Sequence, residues 1–136
     1  MGSFSDYLEN ELMDHIFGCN TTNYVPPADL YLALSTTHPL DTAAGMAEPT
    51  IGVGGYARAQ CDETDFGASA AGIVASTVDI PFPLATLPWG TITHFAIFDD
   101  PAAGNMMMHG SLVVPKAISA GDTPKFAIGD IVISLA

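Results

Sequence analysis

Glycine and proline cut this chain into short pieces. Of its 136 residues, 13 are Gly and 10 are Pro. Only residues 3–17 combine freedom from both with a helical period. Leu8, Leu12 and Ile16 recur every fourth residue, and Phe4 extends the row backward, giving one apolar stripe. Ser3 or Ser5 is placed to cap the helix, and Asp6, Glu9 and Glu11 suit the positive end of its dipole. Gly18 is the residue expected to end it.

Beyond Gly18 the apolar residues come in short runs between turn residues, as strands do. Residues 30–36 (LYLALST) are almost wholly apolar, as in a strand buried on both faces. Residues 56–60 and 77–82 alternate, and Pro81 marks an edge or a strand end. Thr91–Phe98 is the strongest strand, between Pro88-Trp89-Gly90 and Asp99-Asp100-Pro101. Residues 105–114, 125–128 and 130–135 complete the set, and 37–54 reads as a long loop with the most freedom to move. No repeating alternation of strand and helix is present, so a parallel sheet is not expected. The fold class predicted is all-β, an antiparallel jelly-roll-like β-sandwich with one short N-terminal α-helix. Residues 1–136 form a single domain, with 1–18 as helix or arm and 24–136 as the sandwich.

Charge narrows the partners. Lys and Arg number 3 against 15 acidic residues, for a net charge of −12. Arg58, Lys116 and Lys125 cannot neutralise a row of phosphates, so neither nucleic acid nor an anionic membrane is an expected partner. No stretch reaches the roughly 20 apolar residues of a membrane span. The acidic segment 1–18 lacks the basic start of a signal peptide. Hydrophobic residues make up 49% of the chain, which excludes a disordered one. Cys19 and Cys61 have no metal-ligand spacing and read as free thiols, though a fold that brought them together would allow a disulfide.

Candidate chemistry is sparse. His94 lies inside the best strand and reads as a histidine bonded within the fold. His15, His38, His94 and His109 show no metal spacing. Asp99-Asp100 and the group Asp62, Glu63, Asp65 lack the spacing of a calcium loop and read as turn formers. Gly52-Val53-Gly54-Gly55 lacks the Lys-Ser/Thr ending of a phosphate loop and leads into a strand. No nucleophile has an evident base beside it, so no catalytic residue, metal ligand or cofactor is assigned. Arg58 is expected to meet a carboxylate on the face it shares with Tyr56.

The segments Phe4–Asn10, Leu30–Thr36, Glu48-Pro49, Gly55–Arg58, Ile80–Thr86, Trp89–Asp99 and Gly121–Thr123 carry a resemblance across nearly the whole chain. Together they resemble a family of small tailed-bacteriophage virion proteins, often labelled tail fibre proteins. Members include head-decorating cement proteins with a jelly-roll fold. The resemblance implies a non-enzymatic structural protein on the capsid exterior. Its partners would be the major capsid protein and further copies of itself, as a dimer or trimer. The expected partner surface comprises Phe4, Leu8 and Leu12 of the helical arm and the run Met106, Met107, Met108, which reads as core filling or a greasy contact surface rather than a cofactor box. Exposed strand edges offer a further means of adhesion. The alternative is a tail fibre, knob or glycan-binding module, with Tyr24, Tyr56 and Trp89 as candidate sugar platforms set against their use in the core. A cupin-type enzyme stands third, for want of a histidine cluster.

Overall fold

The computed structural model describes residues 2–19 and 23–135. Met1 and Ala136, included in the expected arm and sandwich, lie outside them. The elements are β1 (Gly2–Phe4), α1 (Asp6–Phe17), β2 (Leu30–Ser35), β3 (Ala59–Cys61), β4 (Ile73–Ala75), β5 (Ile80–Pro81), β6 (Gly90–Phe98), β7 (Met106–Ile118), β8 (Lys125–Phe126) and β9 (Val132–Ser134). Seven strands form one curled sheet in the order β3-β2-β6-β7-β1-β9-β4, and β5 pairs with β8 in a small second sheet. The fold is all-β and sandwich-like. Antiparallel pairing prevails, as expected, with one exception. Gly2 of β1 pairs with Ile133 of β9 in parallel, while the remaining pairs are antiparallel.

Helix α1 is built as its residues suggest. The Ser5 hydroxyl accepts from the Leu8 amide and donates to the Met106 carbonyl, so the cap also ties the helix to β7. Gly18 takes a left-handed φ of 64°, and its amide returns to the Asp14 carbonyl. The helix begins later than the apolar row implied. Phe4 belongs to β1, and Ile16 is 69% exposed, so only the first part of the stripe docks.

The sheet is covered on both faces, which explains why β2 and the second half of β6 are so uniformly apolar. Leu32, Leu34, Phe95 and Ile97 point into the main core. Ala33, Ala96 and Phe98 point the other way and pack with Met106 under Ala43 and Met46 of the long loop. That loop is anchored: the Thr36 amide donates to Ala47 O, and the Ser35 hydroxyl accepts from the amides of Thr37 and Ala47. On the main-core side, Phe126 of β8 meets the Phe82 and Phe95 rings at 6.1 and 5.9 Å between centroids. Trp89 closes the core edge-on against Tyr56 at 5.1 Å and donates from its indole to Gly54 O at 2.8 Å.

Two irregularities in the β6–β7 pairing shape the surface. Between the pairs Ile97↔Met108 and Phe98↔Met106, strand β7 carries one extra residue, Met107. Between His94↔Ser111 and Ile92↔Lys116 it carries a longer bulge, residues 112–115. Gly2 and Gly110 face each other beneath the Phe95 ring, where a Cβ on Gly110 would lie 2.7 Å from that ring. No helix among the described residues is long and apolar enough to cross a membrane.

Candidate functional site

The small sheet covers the main-core face around Phe95 but leaves the part around Ile97 open. There the curled sheet holds a groove of about 680 Å³. Its floor comes from Ile97, Met107, Met108 and Ile133, and its flanks from Phe4, Leu12, Tyr24 and Leu30. Asp62 and Glu63 stand on one rim, on the short 3-10 turn Glu63–Asp65 that follows β3. An apolar floor with a few polar groups at the rim is the usual form of a binding groove.

The six residues expected at a partner surface divide here. Phe4, Leu12 and Met108 are half-buried and line the groove. Met107 lines it too but is only 2% exposed. Leu8 and Met106 are buried in the chain's own packing. Of the two uses open to the Met106–Met108 run, core filling and a greasy contact surface, Met106 and Met107 serve the first, and Met108 is half-buried at the groove. The extra residue at Met107 turns Met106 into the loop-covered cluster and Met107 and Met108 toward the groove.

On the opposite face, three histidines meet. The His38 ring stacks on His94 with centroids 4.8 Å apart and lies tilted to His109 at 5.9 Å. His109 Nε2 is 2.7 Å from Asp41 Oδ1, and Thr93 Oγ1 is 2.8 Å from His94 Nδ1. Burial, together with His38 and His109, holds His94 below its ordinary pKa of 6.5. The rings stack rather than converge on a point, and no group among the described residues has the arrangement of a metal site. Sequence spacing missed this cluster. Its signal lay in the hairpin, since β6 and β7 set Ala96 opposite His109 and so bring His94 and His109 onto one face.

Arg58 meets its expected carboxylate, and the partner is Glu48. Its Nε and Nη2 donate to Glu48 Oε1 and Oε2 at 2.9 and 2.8 Å. Its Nη1 donates to the carbonyls of Asp100 and Ala103 at 2.8 and 2.9 Å, while the guanidinium lies 3.8 Å over the Phe98 ring. The Tyr56 hydroxyl donates to Glu48 Oε1 at 2.8 Å and accepts from the Leu34 amide. Burial raises the Tyr56 pKa far above its ordinary value. These groups are occupied with holding the loop to the sheet.

Other candidates have structural duties as well. Tyr56 and Trp89 are buried, which leaves only Tyr24 of the three aromatics at the groove. Asp100 accepts from the amides of Ala102 and Ala103, and Asp99 binds both amide groups of Asn105. Asp62 and Asp65 form a reciprocal cap on the 3-10 turn. Both cysteines are free. Cys19 is exposed, and burial beside the charge of Asp65 pushes the Cys61 thiol up to about 12.

A β-body with an apolar groove has the form of a binding module. A family model described as podophage GP4 fiber I protein gp80 matches residues 3–134. The chain belongs to that family and is thus a phage virion structural protein of fibre type. No curated protein matches it.

Proposed function

We propose that this chain decorates the outside of the phage head, as a non-catalytic cement protein that binds the major capsid protein and stabilises the assembled shell. The observation that carries the reading is a sheet braced from both faces that holds a preformed apolar seat for a protein neighbour within the decorating layer. A cement protein needs a rigid body and an adhesive face. The net charge of −12 keeps the free chain soluble and complements a basic shell surface.

The family's description as a fibre protein favours a second reading, in which the chain is a fibre subunit or its knob. Gold-labelled antibody against the purified chain, counted on intact particles by electron microscopy, separates the two. Grains scattered over the head support decoration. Grains confined to the tail overturn it in favour of the fibre.

A further inference from the structure

The most exposed apolar side chain, Val113, does not line the groove, and neither does its neighbour Val114. Val113 and Val114 are 99% and 71% exposed, at the tip of the bulge 112–115. The bulge is anchored rather than loose. Leu112 behind it packs against the main core, and pairing with β6 resumes at Lys116. Two branched apolar side chains on a fixed tip form a projecting contact that the chain itself leaves uncovered.

Charge indicates what covers it. Arg58 is paired with Glu48 and Lys125 with Asp79. Lys116, exposed beside the tip, is the one Lys or Arg without an ion pair among the described residues. Two copies at a net charge of −12 repel over most of their surfaces. The tip with Lys116 is where that repulsion turns to attraction, provided that it meets an acidic patch. The groove supplies one, with Asp62 and Glu63 on the rim of an apolar floor.

We infer that the Val113-Val114 tip of one copy seats in the groove of a second copy, with Lys116 against the acidic rim. The tip and the groove lie at different stretches of β7, beside Ser111–Lys116 and beside Met107–Met108. The contact joins two different surfaces and is head-to-tail, so repetition builds a closed ring or an open filament. It does not depend on where the chain sits on the particle.

Sedimentation velocity of the purified chain, up to about 200 µM, tests the contact, since micromolar association registers in that range. The wild type is expected to associate with rising concentration. Val113→Asp with Val114→Asp should raise the dissociation constant at least about 30-fold without changing the melting temperature, since both side chains are exposed. Lys116→Glu should weaken association about tenfold, and adding Glu63→Lys to that variant should restore it. A wild type that stays monomeric throughout overturns the inference. So does normal association of the valine variant, or a Lys116→Glu defect that Glu63→Lys leaves in place.

Discussion

Arg58 shows how one residue is committed. Four donors of its guanidinium are in use, two on Glu48 and two on backbone carbonyls, and its plane lies on Phe98. The Arg58 and Glu48 side chains are only 4% and 18% exposed. Glu48→Ala leaves a buried cation without its counter-charge and also strips Tyr56 of its acceptor. The expected loss is about 3–5 kcal/mol, read from urea denaturation. Gly110→Ala tests a different limit. Its new Cβ would press on the Phe95 ring and lie 2.9 Å from the Gly2 Cα, so β1 must move. A loss of about 1–3 kcal/mol is expected by the same measurement.

Single elements show which patterns carry far enough to be read. Helix α1, β2 and β6 were legible because α1 repeats its period up to Gly18, β2 is an unbroken apolar run after Pro26-Pro27, and β6 lies between Pro88-Trp89-Gly90 and Asp99. Strands β1 and β4 were not. Each has three residues, and Gly2 owes its place to the close approach of Gly110 rather than to an apolar pattern. The alternating run 77–82 kept only Ile80-Pro81 as strand, where it pairs with Phe126 and Lys125. The Arg58 carboxylate was foreseen as a type of partner because so few cations face so many acids. The groove was not foreseen, since its lining comes from segments scattered along the chain. Ser5 joins α1 to β7, so Ser5→Ala should cost about 1–2 kcal/mol and speed amide exchange in the helix before the sheet. The loop over the sheet should respond to acid. Unfolded, His94 takes a proton near pH 6.5; folded, it does so only at lower pH. The unfolded chain binds more protons in that window, so stability falls as pH drops below about 6.5. His94→Gln should flatten part of that slope in melts between about pH 7 and 5.

Across the whole molecule, charge and shape act together. The acidic surface limits which neighbours the body tolerates, while the groove and the tip mark where contact is favoured. If the seat on the particle is a basic shell, binding to emptied heads should weaken as salt is raised, because exposed charges are screened beyond about 10 Å at 0.1 M. Cosedimentation with emptied heads across a salt series checks this, and binding indifferent to salt would overturn the role given to charge. One further consequence lies in the order of the strands. β1 sits between β7 and β9, with Gly2 paired to both Gly110 and Ile133. On a ribosome adding about 5–20 residues per second, the first strand therefore waits several seconds for either neighbour to be made. The sheet cannot be completed in the order of synthesis, and its closing step is a late, long-range insertion of the kind that slows folding.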